Sequence, residues 1–298
     1  MVDIRRILCP VDFSDASQHA RDHALAIANW YRSQVDALYV LPARMMPTPP
    51  LFFYGTPPAQ PGDVPREAAL ARLSRWLEDG AAAGLKTSTL LDEGDPASCI
   101  LRHAAAIPAD LIVMGTHGLT GFDHFVLGSV TEKVLRKASC PVMTVPPQAR
   151  TAAKVPYARV LCPVDFSESS LTALRFAISL AEEADARLTI LHAIDWSANE
   201  GLMVEEFDPP ELRRRIETAA RERLEALVTD DMRAFCRPAI TLAYGKPYRE
   251  ILHVAEEEHS DLIVIGVRGR NPVDLAVFGS TTNQVVRRAS CPVLTLKD

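Results

Sequence analysis

The 298-residue sequence contains no apolar run approaching the length of a membrane span, and its first residues lack the apolar core of a signal peptide. A soluble, cytoplasmic protein without a membrane partner is expected. Basic residues are not in excess: the formal charge is −6, which leaves no general positive field for nucleic acid. Six cysteines are present, but no Cys-x-x-Cys. Four of them recur at equivalent places, Cys9 with Cys162 and Cys140 with Cys291, each at a strand end within an apolar stretch. They read as small buried thiols, and structural disulfides are not expected in a reducing compartment. The sequence has no Gly-x-x-x-x-Gly-Lys-Ser/Thr, which excludes a P-loop NTPase, and no Gly-x-Ser-x-Gly nucleophile elbow.

What is present is a duplication. Leu8-Cys-Pro-Val-Asp-Phe-Ser14 recurs letter for letter as Leu161-Cys-Pro-Val-Asp-Phe-Ser167, at an offset of 153. Asp110-Leu-Ile-Val113 returns as Asp261-Leu-Ile-Val264, and Ala138-Ser-Cys-Pro-Val142 as Ala289-Ser-Cys-Pro-Val293, both at an offset of 151. Order is kept and the offset drifts by two residues, so a whole domain is repeated with small changes in its loops. The period is far too long for a solenoid, and two units of about 150 residues suit the ordinary size of a domain. Residues 1–150 and 151–298 are therefore read as two domains, joined near Thr151 to Pro156. A hydrophobic share of 48% is ordinary for chains that build cores.

Each half alternates strand and helix. In the first, Ile4 to Val11 is an apolar run suited to a buried parallel strand. Ser14 and Ser17 are candidate caps for a helix through Tyr31, with Ala20, Ala24, Ile27 and Ala28 on one face. A strand at Val35 to Leu41 leads into an irregular, proline-rich excursion from Pro42 to Pro65, which carries Met45, Met46, Phe52, Phe53 and Tyr54. Those side chains suit a lid over the first site, a contact with a partner, or padding on the exposed sheet end. A helix over Arg66 to Ala83, a strand at Lys86 to Leu91 and a helix begun by Pro96 follow. The strand Leu111 to Met114 runs straight into a glycine loop, then come a helix from Ser129 to Lys137 and a last strand at Val142 to Val145. The second half repeats the order. The fold class is α/β: two tandem, Rossmann-like, doubly wound domains, each a five-stranded parallel sheet with helices on both faces.

The chemistry-bearing signal is a spacing. Gly115-Thr-His-Gly118, nine residues and Gly128-Ser129 recur as Gly266-Val-Arg-Gly269, nine residues and Gly279-Ser280. A glycine-rich loop after an apolar strand and before a helix wraps backbone N–H groups around phosphates. Glycine also lets the main chain approach phosphate oxygens closely and adopt positive φ. Asp12 and Asp165 end the first strands of their halves, where a carboxylate can accept hydrogen bonds from a sugar diol. Ligands in doubly wound sheets bind beyond the carboxyl ends of the strands where strand order reverses. If the first and fourth strands are neighbours, aspartate and loop form opposite walls of one crevice. The bland alternative is that the glycines only permit turns and Asp12 caps the first helix.

With Pro-Val-Asp-Phe-Ser, Leu38-Tyr-Val40, Gly94-Asp-Pro96, Asp110-Leu-Ile-Val-Met-Gly115, Glu132-Lys-Val-Leu135 and Cys140-Pro-Val142 in order, the chain resembles a tandem universal stress protein over nearly its full length. The resemblance implies strand order 3-2-1-4-5 in each half and pairing through the fifth strands, within the chain or in a homodimer. It also implies the ATP-binding subtype, since the spacing that marks it is intact in both copies. On that basis Asp12 and Asp165 would receive the ribose, and Val40 and Ala193 would meet adenine through their backbone. Gly115, Gly118, Gly128, Ser129 and Val130 would hold the phosphates in the first half, and Gly266, Gly269, Gly279, Ser280 and Thr281 in the second. The implied cofactor is ATP, with or without Mg²⁺, and the implied role a nucleotide-dependent stress-response module with an unidentified protein partner.

The copies differ. Arg268 and Arg270 replace His117 and Leu119, and Asn271-Pro272 alters the middle of the second loop, so the two sites need not be equivalent. His19 and His23 stand four apart on the first helix, but their counterparts Thr172 and Phe176 cannot bind metal. The Arg213 to Arg215 run lies among Glu211, Glu217 and Glu222 and reads as a solvated face. Two alternatives stand beside the binding module. One is a slow ATPase using Asp123 or Asp274 near metal or water, although phosphoryl transfer needs a placed water, a metal and charge stabilisation. The other is a nucleotide-free scaffold that dimerises through its fifth strands.

Overall fold

The computed structural model describes residues 2–41, 65–118, 127–149, 157–195, 210–229, 232–233, 236, 238–267 and 278–297. The first half contains β1 (Arg6–Val11), α1 (Asp15–Tyr31), β2 (Gln34–Leu41), α2 (Arg66–Trp76), α3 (Glu78–Ala82), β3 (Lys86–Glu93), α4 (Pro96–Ala106), β4 (Leu111–Gly115), α5 (Ser129–Lys137) and β5 (Val142–Val145). The second contains β6 (Arg159–Pro163), α6 (Glu168–Ala184), β7 (Arg187–Ile194), α7 (Pro210–Glu225), β8 (Ala239–Tyr244), α8 (Pro247–Glu257), β9 (Leu262–Gly266), α9 (Ser280–Arg288) and β10 (Val293–Leu296). The Pro42 to Pro65 excursion, apart from Pro65, and the 151–156 linker lie outside the described residues.

Helix starts follow from local chemistry. Ser14 is extended at φ −76°, ψ 164°, and its side chain accepts from the Ser17 amide, so Ser14 rather than Ser17 is the cap of α1. Ser167 does the same for α6 through the Ser170 amide. Asp95 caps α4, whose first residue is Pro96. Gly94 and Gly245, with φ of 137° and 147°, turn the ends of β3 and β8 into the following helices.

One expected helix is two. The Arg66 to Ala83 segment breaks at buried Leu77, whose amide is shared between the carbonyls of Leu73 at 3.3 Å and Ser74 at 3.1 Å. Beyond the break Gly80 packs onto α1, where a Cβ would stand 2.5 Å from Leu25 Cδ2.

All ten strands form one sheet, in the order β3-β2-β1-β4-β5-β10-β9-β6-β7-β8. Neighbours within each half are parallel, as βαβ crossovers require. The seam between halves is antiparallel: Val293 faces Thr144, Leu294 faces Met143 and Thr295 faces Val142. Consequently the strands of one half run opposite to those of the other, and their carboxyl ends emerge at opposite ends of the sheet.

Two apolar layers clothe the sheet. Ile7, Cys9 and Val11 of β1 point into the layer with α1 and α6, and Leu8 points into the layer with α4, α5, α8 and α9. Each layer runs across both halves. Cys9 and Cys162 are fully buried, and burial pushes the Cys9 thiol up to about 12 and that of Cys291 to about 12. All six thiols are free. They fill space.

The halves are also tied beside the seam. Thr144 Oγ1 donates to the Val293 carbonyl at 3.3 Å and Thr295 Oγ1 to the Val142 carbonyl at 3.0 Å. Lys297 Nζ donates to the carbonyls of Arg136 and Ala138 at 2.6 and 2.8 Å, a cation placed on the C-terminus of α5. Glu183 of α6 accepts the Val2 amide at 2.7 Å and the Tyr31 hydroxyl at 2.8 Å, both from the first half. Replacing Glu183 with Ala leaves two part-buried donors unpaired and is expected to cost about 1–3 kcal/mol. Urea denaturation read by circular dichroism tests this; an unchanged midpoint would show that the carboxylate contributes nothing to the joint.

Candidate functional site

The site begins with a divergence of two neighbouring strands. β1 keeps register with β2 over six residue pairs, up to Val11 opposite Tyr39. With β4 it pairs only at Ile7–Leu111 and Leu8–Ile112. The second half repeats this, with β6 and β9 paired only at Val160–Leu262 and Leu161–Ile263. Beyond those pairs the strand ends part, at the point where strand order reverses. Adjacency of the first and fourth strands, which the family resemblance implied, is present in both halves.

A cavity fills each gap. The first, about 250 Å³, is lined by Asp12, Val40, Gly115, Gly118, Gly128, Ser129 and Val130, with Leu38, Pro96, Ile100, Met114 and Thr131 among its other walls. The second, about 270 Å³, is lined by Asp165, Ala193, Gly266, Gly279, Ser280 and Thr281, with Leu191, Pro247, Ile251, Ile265 and Thr282. These sets occupy equivalent positions of the repeat. The structure therefore brings together every candidate residue except Gly269, which lies outside the described residues with Arg268, Arg270, Asp123 and Asp274.

One wall is a braced carboxylate. Asp12 Oδ1 accepts from the Ser14 amide at 2.9 Å and from its hydroxyl at 2.6 Å. Asp165 Oδ1 accepts the same pair from Ser167 at 3.0 and 2.5 Å. The aspartates do not cap α1 and α6; the serines do, and the aspartates hold the serines. Asp12 Oδ2 is turned toward the loop, where a Cβ on Gly118 would meet it at 2.6 Å. Carboxylate and glycine loop face each other directly.

The other wall is the start of a helix. Positive φ is not what its glycines supply, since the left-handed glycines among the described residues are Gly84, Gly94 and Gly245. Space is. A Cβ on Gly115 would lie 2.9 Å from the backbone carbon and Cβ of Ala16, and one on Gly266 would lie 2.7 Å from the backbone carbon of Ser169. The first turn of α1 or α6 sits flush on the strand end. Nor do the amides of Gly128 and Gly279 face the cavity as donors: they donate to the carbonyls of Thr116 and Val267, each at 2.9 Å.

Helical bonding resumes with the Glu132 amide on the Gly128 carbonyl at 2.9 Å, and α5 has no side-chain cap. The amides of Ser129, Val130 and Thr131 consequently have no acceptor among the described residues. In α9 the same holds for Ser280, Thr281 and Thr282. Three orphan donors at the positive end of a helix dipole suit an anion. Among the described residues, no group of three His, Cys, Asp or Glu side chains is arranged to hold a metal ion.

Sequence reasoning missed Thr131 and Thr282. Their buried hydroxyls donate to the carbonyls of Gly115 and Gly266 at 3.0 and 2.8 Å, pinning the helix start to the strand end. Identity at this place in both copies, in Gly-Ser-x-Thr, was the available signal.

The sequence model of the universal stress protein family matches residues 3–146 and again 156–297. The chain belongs to the universal stress protein family. A universal stress protein of Methanocaldococcus jannaschii is 36% identical over 148 residues, covering 47% of this chain and 81% of that protein. The crystal structure of a universal stress protein from Archaeoglobus fulgidus matches over 98% of both chains, with a TM-score of 0.64 and 22% identity. Another universal stress protein was solved in complex with cAMP; it is 22% identical, covers 49% of this chain and 98% of its own, and has a TM-score of 0.36. No helix among the described residues is long and apolar enough to cross a membrane.

Because the strand end and helix start touch at Gly115, Gly115→Ala is expected to destabilise the protein by about 1–3 kcal/mol through overpacking. Chemical denaturation measures this, and a loss below about 0.5 kcal/mol would mean that the contact yields freely.

Proposed function

We propose that each universal stress protein domain of this chain binds an adenine nucleotide, ATP with or without Mg²⁺, and that the protein acts as a nucleotide-holding stress-response module rather than an efficient enzyme. The observation carrying this reading is the duplicated cavity, with a carboxylate on one wall and orphan helix amides on the other. The carboxylates of Asp12 and Asp165 suit a ribose diol, and the amides of α5 and α9 suit phosphate oxygens. Apolar residues, Leu38, Val40, Ile100 and Met114 in one half and Leu191, Ala193, Ile251 and Ile265 in the other, offer a surface for a base. Cavities near 250 and 270 Å³ approach the lower end of small-ligand pockets, about 300–1,000 Å³, with the phosphates lying toward the open helix ends.

Bound nucleotide changes partner choice only through different affinity for two states of the protein. Association with a protein partner is accordingly the regulatory output to seek. The fit rests on the donors, acceptors and walls of this chain.

Denaturing the purified protein and identifying released nucleotide, then titrating ATP and cAMP with and without Mg²⁺ while following phosphate release, tests the reading. Tight ATP binding without turnover is expected; steady phosphate release would favour the slow ATPase, and no binding at either site the scaffold. Asp12→Ala and Asp165→Ala should each weaken ATP about 10–100-fold at their own site, the range for losing hydrogen bonds to a charged group. Calorimetry resolving two sites measures this, and unchanged affinities would remove the carboxylates from the site.

A further inference from the structure

We propose that Arg72 and Arg223 are positioning residues for the two sites: each guanidinium clamps a phenylalanine that holds the neighbouring aspartate carboxylate in its aim. The inference rests on the nucleotide reading and identifies residues through which the ribose end of each site is set.

The observation behind it is a backbone outlier that occurs twice. Phe13 and Phe166, between the site aspartate and the capping serine, have φ of 61° and 64°. A bulky residue in the left-handed region is uncommon, and persists where its surroundings over-determine it. Here each phenylalanine ring has two close neighbours. On the sheet side, the Phe13 ring lies 4.9 Å from the Tyr39 ring at 54°, and the Phe166 ring 4.9 Å from His192 at 51°. On the outer side, the Arg72 guanidinium carbon is 3.9 Å from the Phe13 centroid, and that of Arg223 is 3.9 Å from Phe166. Arg72 and Arg223 stand at equivalent places on α2 and α7, beside the fully buried Leu73 and Leu224.

The left-handed turn has a specific outcome. It folds the amide and hydroxyl of the following serine back onto Oδ1 of the preceding aspartate, in both halves. With Oδ1 held, the other oxygen of Asp12 is aimed across the cavity at Gly118. Both arginines are exposed, so neither is required to complete the apolar core. A cation over an aromatic face is attracted to the ring quadrupole, and that attraction holds the ring over the turn.

The test compares ATP, 2′,3′-dideoxy-ATP and inorganic triphosphate on the full chain carrying Arg72→Ala and Arg223→Ala together. The preference for ATP over the dideoxy analogue is expected to fall about fivefold or more, with triphosphate binding unchanged, because only the contact to the ribose hydroxyls is misdirected. Arg72→Lys with Arg223→Lys keeps a cation over each ring and should retain the preference. An unchanged preference in the Ala variant, or equal weakening of ATP and triphosphate, overturns the proposal. Amide exchange supplies a readout independent of nucleotide: Ser14 and Ser167 should exchange about tenfold faster in the Ala variant at an unchanged unfolding midpoint. Unaltered exchange overturns the proposal whatever binds. Faster exchange in a protein whose wild type binds no nucleotide would defeat the ATP reading and leave the hold on the carboxylates standing.

Discussion

Parallel hydrogen bonding between β1 and β4, and between β6 and β9, is the constraint on which the site depends. It lasts for two residue pairs in each half and then stops. Up to that point the strands share one sheet; beyond it their ends are free to separate. Because β1 remains bound to β2 up to Val11, the separation occurs on one side only, and the chain leaving β1 is delivered to the rim of the gap as Asp12. The chain leaving β4 reaches the same rim as the glycine loop. Every later contact, from the serine brace to the threonine pin, fixes an orientation within a space that strand divergence has opened.

That space is kept by absence of atoms as much as by their presence. Gly115 and Gly266 let a helix start lie against a strand end, and Gly118 leaves the Asp12 carboxylate uncovered. Gly128 and Gly279 use their amides to close the loop on itself, which delivers the next three amides to the cavity unpaired. An anion there meets donors that the protein has not satisfied internally. In a buried helix end such donors would be a defect; at the mouth of a cavity they define which ligand charge is wanted.

Much of this was legible from residues. Strong local signals placed the elements: Ser14, one of two cap candidates, Pro96 as a helix start and Leu111 as the opening of a buried strand. The repeat made each signal count twice. Adjacency of β1 and β4 was legible only through the family resemblance and its strand order 3-2-1-4-5, because no local pattern encodes which strands pair. The break at Leu77 was hidden too; it lies just before Gly80, which packs close against α1. Glycine was read as offering both close approach and positive φ; among the described loop glycines close approach is what the structure uses, a distinction that depends on what lies 3 Å away. The left-handed Phe13 and its cover by Arg72 were invisible for the same reason, 59 residues separating the pair in the sequence. Whatever the proline-rich excursion and the middles of the glycine loops contribute falls outside the described residues.

The antiparallel seam has a geometric sequel. Since β5 and β10 run in opposite directions, the two cavities look away from each other across the length of the sheet. Molecules held in them cannot touch, share a metal or be spanned by one short ligand. Duplication in this arrangement yields two separate cavities rather than one larger site.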